Sequence, residues 1–181
     1  IVWLSDKLDS FNQDDYLYTE LLIILLDEMK GEDYHTDKRA ERIRKNWIHD
    51  EIRDYAIDEW IENKDYDRAI EILKHNILLS ETLSEKDNIK LKNCYLANGD
   101  HVNYVRQMKS MLTETSNPNL QILSEYKNLL SESAWIIERG QLFNEMRPDV
   151  CMAELYEFED MHEELMAFVE QSLDIEVLRK F

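Results

Sequence analysis

The sequence predicts an all-α chain built from stacked antiparallel helix hairpins, a short, irregular, right-handed α-solenoid. Three observations lead there. Apolar residues recur at spacings of three and four along nearly the whole length, and hardly any stretch alternates with period two. The 181 residues include only three Gly and two Pro, too few for the tight turn about every 8–12 residues that a sandwich or barrel requires. Three polar turns recur, each followed by an apolar helix stripe, and a lone hairpin cannot bury such a stripe without stacked neighbours.

Taken in order, a first short helix carries Trp3, Leu4 and Leu8. A second is expected over 14–30 with Leu17, Leu21, Ile24 and Leu25 inward, ended by Gly31, which tolerates the left-handed backbone of a helix stop. Thr36 or Asp37 can cap the next helix, whose stripe is Ile43, Trp47, Ile48, Ile52, Tyr55, Ala56 and Trp60, with a break near Asn46. The turn Asn63-Lys64-Asp65 precedes a helix over 66–83. Helices over 86–97 and 101–114 flank Asn98-Gly99-Asp100, and 120–130 pairs with 133–146. Pro148 opens a helix over 150–157 at its first turn, and Phe158-Glu159-Asp160 leads into 161–172. Each of the three turns ends in Asp, whose carboxylate can accept an orphan amide hydrogen bond at a helix start. The four tryptophans, Trp3, Trp47, Trp60 and Trp135, occupy apolar stripes and are expected in the core.

Aligning Asp65, Asp100 and Asp160 matches the residues around them. Five past the Asp lie Ile70, Val105 and Leu165; eight past lie Leu73, Met108 and Phe168; five before stand Trp60, Tyr95 and Leu155. The unit from Trp60 through 65–73, with Ala69 where two helices touch, resembles the inter-helix turn and second helix of a tetratricopeptide repeat. Tyr104 and Glu164 stand where Ala69 does, so uneven packing of the hairpins is expected. The order of an aliphatic helix (21–29), a Trp-bearing acidic helix, the Lys64-Asp65-Tyr66 and Gly99-Asp100 turns and Ala134-Trp135 is similar to the helical region of bacterial SWIM zinc finger proteins. That resemblance implies a zinc-binding, nucleic-acid-associated module outside these residues, because the Cys-x-Cys and Cys-x-His motif is not among them.

No Pro/Gly/Ser-rich linker interrupts the pattern. One helical-repeat domain over 1–181 is expected, with N-terminal helices in 1–46 and degenerate hairpins in 47–181. No Met precedes Ile1, and the amphipathic pattern still runs at Leu178 to Phe181, so the chain reads as a piece of something longer. Its longest purely aliphatic run, 21–26, is too short to span a bilayer. Cys94 and Cys151 are expected as buried free thiols, which suits a cytoplasmic protein.

The 39 acidic and 21 basic side chains give a net charge of −18, which repels phosphate and argues against direct nucleic-acid binding by this segment. No Gly-rich loop cradles a nucleotide and no nucleophile motif is present. The expectation is a non-enzyme without metal or cofactor. A rival from another class, a helical metalloenzyme, would use the Glu32/His35 and Glu159/His162 spacings, but both fall at turns. Another alternative is a structural spacer beside the zinc-binding module. The most suggestive feature is an acidic stripe, Glu51, Asp54, Asp58 and Glu62, which shares one helix face. The function expected is a protein-interaction or scaffold region that could dock a basic peptide or partner on that stripe.

Overall fold

A computed structural model describes residues 2–8, 10–12, 16–31, 36–79, 84–114, 119–146 and 150–171. The described residues are all-α: α1 (Val2–Leu8), α2 (Tyr16–Glu28), α3 (Thr36–Lys45), α4 (Asp50–Glu62), α5 (Tyr66–Leu79), α6 (Glu85–Ala97), α7 (His101–Thr113), α8 (Leu120–Lys127), α9 (Glu132–Glu145), α10 (Val150–Phe158) and α11 (His162–Gln171). None of these helices is long and apolar enough to cross a membrane. Pro148, Glu32 and His35 lie outside the described residues, as do the side chains of Thr36 and Cys151. The chain divides into two compact units, Ile1–Leu73 and Lys74–Phe181.

In the first unit α1 packs on α2, and α2 and α3 each pack on α4. Leu8, Tyr18, Leu22, Leu25, Leu26, Met29 and Ile52 form the core. This corrects the inward face expected for α2: Leu25 is buried, but Leu17 and Ile24 are half exposed and the buried stripe runs one residue later. The stretch 21–26 is apolar on every side, so its own pattern cannot choose a face, and α1 and α4 choose it. Trp3 is likewise displaced from the expected core, 70% exposed on α1, and Ile48 is 81% exposed. Gly31 sits at φ +81°, as its helix-ending role requires.

The break expected near Asn46 separates α3 from α4. Asn46 is buried: its side-chain nitrogen donates to Arg42 O at 2.8 Å, closing the end of α3, and its Oδ1 accepts from Tyr18 OH at 2.8 Å. Arg53 donates to the carbonyls of Trp47 at 2.8 Å and Ile48 at 3.0 Å. The break is supported on both sides: Asn46 adds a side-chain donor to the Arg42 carbonyl that its own backbone N–H already reaches, and Arg53 takes the carbonyls a continued helix would have paired. Ile48 lies on the outside of that turn, which is why the expected stripe loses it.

In the second unit α7 packs on α6, α8 and α9, and α10 packs on α11. Ser84, Asp100, Asn119 and Ser131 cap their helices by accepting from the amides of Asp87, Asn103, Gln121 and Ala134. Tyr95, Met108, Leu123, Trp135 and Leu142 are among its buried residues. Cys94 is buried too, and burial pushes its thiol up despite Lys90 nearby.

The three expected turns share one hydrogen-bond ladder. Asn63, Asn98 and Glu159 donate four residues back; Lys64, Gly99 and Asp160 donate three back; Asp65, Asp100 and Met161 donate five back, to Trp60, Tyr95 and Tyr156 at 2.8–2.9 Å. Lys64, Gly99 and Asp160 take φ +61°, +74° and +54°. This is a Schellman helix end with one left-handed residue. It moves the third repeat by one position from the sequence alignment. Asp160 is the left-handed residue and Met161, not Asp160, precedes the new helix. The large residue five before is then aromatic in all three, and Leu165, rather than Glu164, stands where Ala69 does.

Candidate functional site

The α3–α4 break sets two short helices side by side with a groove between them. Ala40 and Ile43 of α3, Trp47 of the break, and Ala56 and Trp60 of α4 supply its apolar surface, while Arg39, Arg44, Glu59 and Arg68 supply its polar edges. The volume is about 700 Å³, in the range of ligand-binding clefts. Trp47 and Trp60, both expected in the core, are half-buried here with ring centroids 6.1 Å apart and planes tilted by 42°, an ordinary geometry for an attractive aromatic pair. Ile43 and Ala56, expected on one stripe interrupted near Asn46, both line the groove because the chain folds back at that break.

One end of the groove is fixed by a charged network. Arg39 pairs with Glu59, donates to Leu26 O at 2.9 Å and to Tyr55 OH at 3.0 Å, and lies 5.7 Å over the Tyr55 ring. Tyr55 OH in turn donates to Asp27 Oδ1 at 2.8 Å, and Lys30 pairs with Asp27 at 2.9 Å. Burial alone would disfavour the charges, yet Glu59 and Tyr55 hold the Arg39 guanidinium above its ordinary value, and Lys30 and Tyr55 hold the Asp27 carboxyl below its own. The groove's one carboxylate is therefore neutralised in place. Arg44 and Arg68 are exposed; Arg44 Nε reaches Ala40 O at 3.5 Å and Arg68 pairs with Asp65 at 3.3 Å.

The acidic stripe lies on another side of α4. Glu51, Asp58 and Glu62 are exposed and Asp54 is half-buried, on the side of the helix away from the buried Ile52 and Ala56. The four are brought together on one face, as their spacing implied.

Of the Glu159/His162 spacing, Glu159 is engaged by other side chains. The Glu159 side chain is 2% exposed and accepts from Trp135 Nε1 at 2.8 Å, Lys127 Nζ at 2.9 Å and Arg139 Nη1 at 3.2 Å. Its residue lies in the turn, with Asp160 left-handed behind it, and His162 is exposed at the start of α11. Among the described residues no group of three His, Cys, Asp or Glu converges.

Two signals in the sequence pointed toward the groove. A stripe carrying Ile43, Trp47, Ala56 and Trp60 across an expected break must fold two apolar surfaces toward each other. The helix before that break, α3, holds five basic residues against two acidic, net +3, in a chain of net −18. Comparisons with family models, with curated proteins and with solved structures find no match to this chain.

Proposed function

We propose that this chain is a non-catalytic protein-interaction region of a larger cytoplasmic protein. The observation that carries the reading is the groove between α3 and α4: two half-buried tryptophans with Ala40 and Ile43 beside them, over a buried Ala56, on a framework braced by the Arg39–Glu59 network. Rigid aromatic surface of this kind gives large contact area at small entropic cost, and Trp and Arg are the residues that dominate binding energy at interfaces. Hairpins of tetratricopeptide-like form beside a SWIM-type zinc module would suit such a region, acting as the arm that brings a partner to the module.

The test is Trp60→Ala in the full chain. Partners recovered by affinity purification should be lost while helical content, followed by far-UV circular dichroism, stays the same. Equal recovery overturns the groove reading. A second reading, the docking of a basic peptide on Glu51, Asp54, Asp58 and Glu62, is favoured by their common placement on the outer side of α4. It predicts the opposite pattern: partners survive Trp60→Ala and are lost when the four become Gln and Asn, with binding that weakens steeply as salt rises.

A further inference from the structure

We propose that the α3–α4 groove takes an acidic peptide segment, an aliphatic or aromatic anchor residue flanked by Asp or Glu. This rests on the reading of the chain as an interaction region and adds the chemistry of the partner.

The apolar part follows from the groove floor, where Ile43, Trp47 and Trp60 offer surface that a buried Leu, Ile or Phe would cover. The acidic part follows from the rim. Glu59 is matched by Arg39, so the cations left accessible along the edges are Arg44 and Arg68, the first on a helix of net charge +3 and the second paired only with Asp65 in solvent. Arg44 now holds a carbonyl at 3.5 Å, long for a hydrogen bond, and Arg68 pairs with Asp65 at 3.3 Å while 67% exposed. Both interactions are weak, being long or solvent-screened. A carboxylate accepting two parallel N–H bonds from either guanidinium would displace them, since such forks are shorter and stronger than neutral bonds.

The chain's net charge of −18 opposes an acidic ligand at long range. Distance decides the balance. The stripe of Glu51, Asp58 and Glu62 lies across α4 from its buried face, and a helix with side chains is about 10–12 Å thick, beyond the screening length of about 8 Å at physiological ionic strength. A carboxylate at the rim is within hydrogen-bond reach of the arginines. Salt therefore removes the repulsion before it removes the contact, and the association rate should rise, not fall, between low and physiological salt.

Selection of a phage-displayed random peptide library on the whole chain tests this. Enriched peptides should combine Leu, Ile, Phe or Trp with Asp or Glu, and a synthetic member should lose about tenfold or more in affinity to the Arg44→Glu, Arg68→Glu double variant and also to Trp60→Ala. Arg44→Gln with Arg68→Gln, which removes charge without reversing it, should give a smaller loss in the same direction. Enriched peptides that are basic or uncharged, or an acidic peptide indifferent to both arginine variants, overturn the acidic partner and leave the interaction reading standing. A library yielding no binder overturns both. A chain that is dimeric by sedimentation and becomes monomeric with Trp60→Ala overturns the proposal by showing that a second copy fills the groove.

Discussion

The two units treat the same materials differently. In Lys74–Phe181, charge is used to tie helices together: Lys92 of α6 pairs with Glu125 of α8, Lys109 of α7 with Glu138 of α9, and Glu159 gathers Lys127 of α8 with Trp135 and Arg139 of α9. Trp135, its N–H satisfied by a buried carboxylate and its ring meeting Tyr126 edge-on at 6.3 Å, is 3% exposed. In Ile1–Leu73 the charged network around Arg39 closes one end of a groove, and Trp47 and Trp60 remain partly in water. An indole with a buried acceptor becomes core; indoles whose neighbours are two short helices at a break become surface. Burial of tryptophan thus depends on what receives its polar edge as much as on where the apolar stripe runs.

The sharpest way to break this comparison is to truncate a tryptophan in each unit. Trp135→Ala should destabilise by about 3–5 kcal/mol as a core cavity beside a buried carboxylate that has lost one of its three donors, and Trp60→Ala by less, about 2–3 kcal/mol, part of its surface being in water already. Urea unfolding of both variants measures it, and equal costs would abolish the distinction.

Next in size is the Glu159 cluster. Burial would raise this carboxyl, but the hydrogen bonds from Trp135, Lys127 and Arg139 outweigh it and hold it below its ordinary 4.5. A depressed folded-state value means a contribution that is complete above about pH 4.5 and is lost as pH falls below that through the folded-state value. Glu159→Gln should cost about 1–2 kcal/mol at neutral pH, moderated because Lys127 is 43% exposed and stays solvated. The gap between variant and parent should narrow steadily in acid. A constant gap from pH 7 to pH 3 would show that the charge is irrelevant there.

The turns are the control, because one geometry serves both units. An added Cβ at Gly99 meets nothing within 4 Å, so the cost of substitution is backbone strain alone. Gly99→Val should cost about 1–2 kcal/mol and Gly99→Asn a few tenths, about 0.5. Small and opposite in sign are Lys64→Gly and Asp160→Gly, each expected to stabilise by about 0.5 kcal/mol, relieving a left-handed non-glycine. Opposite signs at the two sites in thermal unfolding would mean that each unit strains its turn differently.

Which parts were legible follows from how local their causes are. The helices, the Gly31 and Gly99 stops and the Asp100 cap depend on residues within about one turn of each other, and the sequence carried them; the break near Asn46 showed in the sequence too, though Tyr18 and Arg53 support it from farther away. The third turn was misread by one residue because Asp serves both as N-cap and as a tolerated left-handed residue, and only the backbone ladder tells Asp160 from Met161. The face of α2 was misread because an all-round apolar helix has no periodicity to read. That Glu51, Asp54, Asp58 and Glu62 share a helix face was legible, being a matter of spacing on one helix. The groove needs the angle between α3 and α4, and the Asn46 break that sets it is held from 28 residues away by Tyr18 OH. That dependence is tertiary.

The graded depth of the four tryptophans also makes the chain its own optical ruler. Trp3 stands in water, Trp47 and Trp60 stand at a groove mouth, and Trp135 is sealed beside Glu159. Collisional quenching of intrinsic fluorescence by acrylamide should resolve three populations in that order, whereas iodide, an anion, will be held off by the net charge of −18. Anything that seats itself between α3 and α4 subtracts the middle population alone. Occupancy can then be followed in unlabelled protein by the colour and lifetime of its own light.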